Sequence, residues 1–223
     1  MRIAVFGATG ATGRLVIGEA LRQRHAAWAF TRRREAWLLG RPGLLPVLGE
    51  LSDSQAVTRA LAARDAAIVT LGHREDSPPD LLERAVTRIL EGMSLHRVRR
   101  LIYLSALGVG DSRQISGVYG RLLRPLFYAR AHRDHERAEA LIRASGLDWT
   151  IVRPPRLTDG PAEGYEVNPS HLGLAAHLPR LDLARFLVDQ LQSGAHVRGA
   201  PLVAALPASA QKLAMSPPSP AAA

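Results

Sequence analysis

The stretch VFGATGATGRL, residues 5–15, decides the fold because three glycines stand three residues apart directly after an apolar run. The first glycine ends a predicted strand that begins at residue 2, and the third opens a predicted helix. Such a turn lets the backbone approach a pyrophosphate, which would sit on free N–H groups at the positive end of the helix. We interpret it as a dinucleotide site, with a plain flexible turn as the alternative. Its predicted contacts are three glycines and two hydroxyl residues: Gly7, Thr9, Gly10, Thr12 and Gly13.

Apolar runs and amphipathic segments alternate along the rest of the chain. The predicted strands are RIAVFGA, AAWAFTR, LLPVLGEL, AAIVTLG, RLIYLSALG and DWTIVRPP. The predicted helices cover residues 12–24, the segment SDSQAVTRALA, residues 80–96 and residues 119–145. This alternation predicts βαβ units and an α/β fold, a Rossmann-type doubly wound parallel sheet with helices on both faces.

The pattern loosens after Pro155, which predicts a small C-terminal region on the substrate side. Asp182 is expected to be the N-cap of a helix that runs to about Gln192, and APLVAALP is expected to form a last strand. We expect one domain over residues 1–205 and a disordered, low-complexity tail over residues 206–223.

Composition limits the possible functions. The net charge of +9 is carried by arginine, since Lys212 is the one lysine of the 223 residues, and there is no cysteine. Disulfides, thiolate nucleophiles and cysteine-ligated metals are therefore excluded. The arginines are scattered and aromatic residues make up only 5%, so we expect a solvated basic surface rather than a nucleic-acid site. With no apolar run of about 18 residues, we expect a cytoplasmic protein that does not enter membranes.

The end of the second predicted strand indicates which dinucleotide would bind. An acid here would meet a free ribose 2′-hydroxyl, but the sequence reads FTRRRE. A guanidinium pairs with two oxygens of a 2′-phosphate, so Arg32, and secondly Arg33, predict NADP(H) as the cofactor. A basic loop without a ligand is the alternative. Glu35 would be the missing acid only if the strand boundary were misplaced.

Four segments resemble the atypical short-chain dehydrogenase/reductase family. They are GATGATGRL, YLSALGVGD, HERAEALIRASGLDWTIVRPPRLTDG and LPRLDLARFLVDQL. Within this family the chain is similar, over about residues 1–205, to small NAD(P)H-binding proteins of the biliverdin reductase B, NADH-flavin reductase and NmrA-like type. The resemblance implies a cofactor across the carboxyl ends of the strands. It also implies cofactor contacts beyond the glycine turn and the arginines, at Leu71, Gly72, Ser105, Pro154 and Pro155.

One departure from the family pattern affects the chemistry. Typical members of the superfamily use a Tyr-x-x-x-Lys pair for proton transfer, but here Tyr119 is followed by Leu123 and Tyr128 by His132. Tyr128 and His132 would share a helix face, either as a substitute pair or as two polar positions on a half-exposed helix. His135 is a further candidate for proton delivery.

Reduction of a conjugated acceptor does not need the missing Tyr–Lys pair, since a flavin, quinone or biliverdin-like tetrapyrrole can take its proton from water. We therefore expect an NADPH-dependent oxidoreductase acting on a small molecule, in which Ser105 positions the ring or the acceptor. His73 and Arg74 would contact an acidic acceptor, with a solvated loop as the alternative.

Other functions stay open. A non-catalytic NADP-sensing module and a nucleotide-sugar epimerase-like enzyme are the alternatives to a reductase. We expect no metal site, because the spacing of His171, His177, Glu163, Glu166 and Asp159 matches no common ligand pattern. Surface pairing is expected for three neighbours on the long helix, Asp134, His135 and Glu139. The protein is expected to be a monomer or homodimer.

Overall fold

The computed structural model describes residues 1–113 and 126–207, with the side chains of residues 1–112 and 129–207. The strands are β1 (Arg2–Phe6), β2 (Ala26–Thr31), β3 (Leu44–Leu48), β4 (Ala66–Val69), β5 (Arg100–Leu104), β6 (Asp148–Val152), β7 (Arg156–Thr158), β8 (Tyr165–Val167), β9 (His177–Pro179) and β10 (Val203–Ala205). The α-helices are α1 (Ala11–Arg22), α2 (Ser54–Leu61), α3 (Leu81–Leu95), α4 (Leu126–Ala144) and α5 (Arg180–Asp189).

Six parallel strands form the central sheet in the order β3-β2-β1-β4-β5-β6. β1 lies in the interior, where Ile3 is in register with Ala27 on one side and with Ala66 on the other. Short apolar strands separated by helices favour this arrangement, because each helix returns the chain to the same edge of the sheet. The predicted doubly wound sheet is confirmed.

Helices cover both faces because alternate strand residues point to opposite sides. Ile3 and Val5 pack on one face against α1 and α5, whereas Ala4 and Phe6 pack on the other face against α2, α3 and α4. From Ile3 to Phe6 both sides of β1 are fully buried, which fits the continuous apolar run of these residues. The sheet therefore lies between two hydrophobic layers.

The region after β6 contains two small sheets rather than irregular chain. β7 pairs with β9 in parallel, and β8 pairs with β10 in antiparallel orientation. The predicted N-cap of the last helix is wrong, because α5 begins at Arg180 directly after β9, and Pro179 is its N-cap. Asp182 lies inside the first turn, where its buried carboxylate accepts hydrogen bonds from the backbone N–H groups of Glu163 (2.7 Å) and Gly164 (3.2 Å).

Parts of two predicted segments lie outside the described residues. The long helix predicted from residue 119 is seen from Leu126, and the predicted tail is described only as far as residue 207. No helix in the described ranges is long and apolar enough to cross a membrane.

Candidate functional site

The site lies where the strand order reverses, between β1 and β4. Gly7 follows β1 with φ +85°, and a Cβ there would lie 2.7 Å from the backbone carbon of Thr70, just after β4. The hydroxyl of Thr70 donates to the carbonyl of Phe6 at 3.2 Å, which holds the two strand ends together. Such a switch point opens a crevice at the carboxyl ends of the strands, where α/β proteins bind ligands.

The beginning of α1 fits the pyrophosphate of a dinucleotide. Gly10 is its N-cap, and a Cβ on Gly13 would lie 2.1 Å from the carbonyl oxygen of Gly7, so only glycine permits this packing. Among the described residues no side chain caps this helix, and its first turn carries no acid. The unpaired N–H groups and the positive end of the helix dipole are therefore available to an anion.

A cleft of about 430 Å³ extends from this turn. The described residues that line it belong to the glycine turn, the ends of β2 to β4 and α3: Gly7, Thr9, Gly10, Phe30, Thr31, Arg32, Glu50, Leu51, Ser52, Thr70, Leu71, Gly72, Arg74, Asp76, Ser77, Pro78, Leu81, Arg84, Ala85 and Arg88. Four arginines against two acids give the cleft a positive lining, which suits a polyanionic ligand.

The end of β2 places Arg32 in the cleft. The strand ends at Thr31, one residue before the end of the predicted strand AAWAFTR, and Arg33 lies outside the set of described residues that line the cleft. The Thr31 hydroxyl donates to the carbonyl of Arg33 at 2.9 Å and so shapes this turn. Glu35 is paired with Arg14 at 2.7 Å and lies outside the described lining of the cleft.

The structure separates the two residues predicted to contact an acceptor. Arg74 lines the cleft, together with Leu71 and Gly72. The His73 side chain is only 6% exposed, and its Nε2 lies 2.7 Å from a carboxylate oxygen of the buried Asp134. A carboxylate can only accept, so Nε2 of His73 carries the hydrogen.

Ser105 lies directly after β5 within a buried ionic network. Its hydroxyl donates to Glu139 Oε1 at 2.6 Å, and Glu139 forms a bidentate pair with Arg153 at 3.1 and 2.5 Å. Arg153 also pairs with Asp111. Burial alone would lower the pKa of Arg153, but its hydrogen bonds to these two carboxylates raise it. Because the Ser105 O–H is donated to Glu139, the Ser105 oxygen can only accept a further hydrogen bond.

The expected surface pairing on α4 is wrong, because three of its polar residues are buried. Asp134, His135 and Glu139 are 0%, 8% and 3% exposed, respectively. The helix covers the sheet with this face, so each polar group takes a partner on another element, as buried polar groups require.

The imidazole of His135 is buried against the sheet. Its Nδ1 lies 2.9 Å from the hydroxyl of Tyr103 on β5. Burial, with the nearby His132 and His73, lowers the pKa of His135 to about 3, and burial raises the pKa of Tyr103 well above its ordinary value. His135 is therefore a neutral imidazole at pH 7.

The other predicted site residues are dispersed. His132 on α4 places Nε2 at 2.9 Å from the carbonyl oxygen of Leu107. Tyr128 belongs to the same helix, but its side chain lies outside the described residues. Thr12 and the Pro154–Pro155 pair are buried away from the cleft lining, whereas Thr9 lies in it.

Sequence reasoning missed several of these partners. Arg153 could have been found, because a charged residue directly after the buried strand TIV requires a buried counter-charge. Its partner Glu139 and the cleft arginines Arg84 and Arg88 carried no such signal, since a helix pattern alone does not tell which polar residues face a neighbour.

Comparison with known proteins agrees with this geometry. Residues 7–194 match the model of a family described as NAD(P)H-binding. The chain is 32% identical over 152 residues to (4-alkanoyl-5-oxo-2,5-dihydrofuran-3-yl)methyl phosphate reductase of Streptomyces griseus, covering 68% of this chain but only 46% of that protein. It is 28% identical over 171 residues to the uncharacterized sugar epimerase YhfK of Bacillus subtilis, covering 74% and 76%. The structure resembles the anaerobilin reductase ChuY of Escherichia coli O157:H7, with TM-score 0.77, 22% identity and coverage of 91% and 96%.

Proposed function

Because this chain belongs to the NAD(P)H-binding family, we propose that it is an NADPH-dependent reductase of a conjugated small molecule. The acceptor classes that we propose are flavins, quinones and biliverdin-like tetrapyrroles. The observation that carries the cofactor assignment is Arg32, which follows β2 and lines the cleft where an NAD-specific protein would present an acid. Its guanidinium supplies two donors to a 2′-phosphate.

The glycine turn holds the dinucleotide in this proposal. The N–H groups at the start of α1 bind the pyrophosphate, Thr9 adds a hydroxyl, and Leu71 and Gly72 line the same cleft. Arg74 adds a positive charge to this lining. When bound, NADPH supplies a hydride from its nicotinamide ring.

Ser105 positions the ring or the acceptor in this proposal, and it does so as a hydrogen-bond acceptor. Its own proton is held by Glu139, so it accepts a hydrogen bond from an N–H group of the nicotinamide carboxamide or of the acceptor. Arg153 keeps Glu139 in place, and the buried Pro154 supports the turn by accepting a hydrogen bond from the N–H of Leu107 at 2.8 Å.

Proton delivery comes from solvent in this proposal. Lys212 is the one lysine of the sequence, and no tyrosine is followed four residues later by a lysine. His135 has no proton to give at neutral pH, because its pKa is lowered to about 3. Acceptors that spread the incoming charge over a conjugated system need no protein acid, which favours them over simple ketones. Two similar proteins, from S. griseus and E. coli, are named as reductases.

The test is the rate of NADPH oxidation by the purified protein with FMN, biliverdin and a quinone, with NADH measured alongside. Acceptor-dependent turnover that prefers NADPH is expected. Tight NADPH binding without turnover on any acceptor would instead indicate an NADP-sensing module. Tight binding of a sugar nucleotide with retained cofactor would indicate an epimerase-like enzyme.

A further inference from the structure

A single buried carboxylate on α4 joins the two walls of the cofactor cleft. Oδ2 of Asp134 accepts from the ring of His73 at 2.7 Å and from the N–H of Leu82 at 2.7 Å, and Oδ1 accepts from the N–H of Glu83 at 3.0 Å. The N-cap of α3, Asp80, makes no side-chain capping bond. Asp134 therefore supplies from another helix the acceptors that the first turn of α3 needs.

These bonds end on segments that form the cleft. Residues 71–78 contribute one wall, and the first turns of α3, including Arg84 and Ala85, contribute the adjoining one. The His73 ring points away from the cleft into the protein, while its neighbours Gly72 and Arg74 line it. The pair therefore acts on the cleft through the backbone on either side of His73.

The other histidines near this pair are held by different partners. His135 bonds to Tyr103, and His132 contacts the carbonyl of Leu107. Of these three histidines, His73 is the one that links a cleft segment to α4. Its hydrogen bond to the Asp134 carboxylate is charge-assisted and shielded from water, since Asp134 is 0% exposed.

We propose that His73 and Asp134 form a positioning pair that holds loop 71–78 and the start of α3 in the geometry that binds the dinucleotide. This inference rests on the proposed function for the ligand, but it assigns His73 to the cofactor cleft and not to the acceptor. Apparent affinity falls in proportion to the fraction of molecules with an ordered wall. If release of the loop leaves one molecule in ten competent, the dissociation constant rises about tenfold.

The experiment measures dinucleotide binding directly, by fluorescence titration, in His73→Ala, His73→Gln and Asp134→Asn. It uses NADPH or NADH, whichever the unmodified protein binds more tightly, so that an error in the 2′-phosphate assignment does not affect it. His177→Ala is the matched control, because His177 forms a second histidine–carboxylate pair, with Glu163 at 3.0 Å, in the small sheets.

His73→Ala is expected to raise Kd about tenfold with kcat and the acceptor KM unchanged, and to speed amide hydrogen exchange over residues 71–83. His73→Gln is expected to recover most of the affinity, because its carboxamide N–H can donate to Asp134. Asp134→Asn is expected to weaken binding at least as much, and His177→Ala not at all. An unchanged Kd in His73→Ala, or a raised acceptor KM with Kd unchanged, would overturn the proposal. If the unmodified protein binds neither dinucleotide, it is the cofactor assignment of the proposed function that fails.

Discussion

Replacing Arg32 with aspartate tests the choice of cofactor most directly. Arg32 is exposed and lines the cleft beside Thr31 and Leu51, so the change leaves the core untouched. Hydrogen bonds to charged groups contribute about 1.5–3 kcal/mol, and we take the lower value because water screens an exposed side chain. The new carboxylate adds a repulsion of about 1 kcal/mol against a phosphate in a water-like dielectric.

The total of about 2.5 kcal/mol corresponds to a rise of roughly 70-fold in the Kd for NADPH. NADH lacks the 2′-phosphate, so its Kd is expected to stay within about threefold. Arg33→Asp is the matched control, because Arg33 is also exposed but lies outside the described lining of the cleft. Both constants are measured by titrating the fluorescence of the reduced dinucleotide. Equal losses for NADPH and NADH, or an equal effect of Arg33→Asp, would refute the assignment of Arg32 to the 2′-phosphate.

Three further outcomes follow from the described contacts. Gly10→Val is expected to abolish dinucleotide binding, because its side chain would occupy the proposed pyrophosphate site. The protein is expected to stay folded, because Gly10 has an ordinary φ of −70° and its added Cβ meets only the Gly7 oxygen at 3.3 Å. Undiminished binding would remove the pyrophosphate site from the glycine turn. Glu139→Ala removes the buried partner of Arg153 and leaves this buried guanidinium paired with the exposed Asp111, so it is expected to cost about 3–5 kcal/mol in urea unfolding. Asp148→Ala, which removes the partner of the exposed Arg99, is expected to cost at most about 1 kcal/mol. Equal costs would show that the buried network contributes no more than a surface pair. Folding lowers the pKa of His135 from 6.5 to about 3, so the unfolded chain binds more protons than the folded protein between these two pH values. The free energy of unfolding is therefore expected to decrease as the pH falls from 6.5 towards 3, by up to about 1.4 kcal/mol per pH unit. His135→Gln should flatten this part of the pH–stability curve, and an unchanged slope would contradict the buried neutral imidazole.

Much of the fold could be predicted because local pattern and backbone chemistry act over short distances. The strand that ends at Phe6, the glycine turn and the start of α1 occupy one continuous stretch, and Gly7 and Gly13 each have a steric reason to be there. The end of β2 was predictable to within one residue, since it follows an apolar run and precedes three arginines. The proposal for Arg32 therefore began from the sequence, and its place in the cleft lining supports it.

The polar partners of α4 could not be predicted in the same way. Helical spacing shows that Asp134 and Glu139 share a helix, but burial decides whether they pair on the surface or with other elements. Asp134 meets His73 across 61 residues, and Glu139 meets Ser105 across 34. The prediction that Asp182 is an N-cap failed for a related reason. β9 leads directly into α5, so the helix begins at Arg180, two residues before Asp182.

The sequence by itself determined the doubly wound sheet, the dinucleotide turn and the basic residue beside it, since these depend on periodicity and on glycine sterics. Only the tertiary structure decided which polar side chains face the cleft and which are buried beneath it. Arg74 lines the cleft, whereas its neighbour His73 is buried against Asp134. The Ser105 hydroxyl donates to Glu139, which leaves its oxygen to act as an acceptor. The physical reason is that a buried charge must find its partner wherever packing brings one, and that partner is distant along the chain.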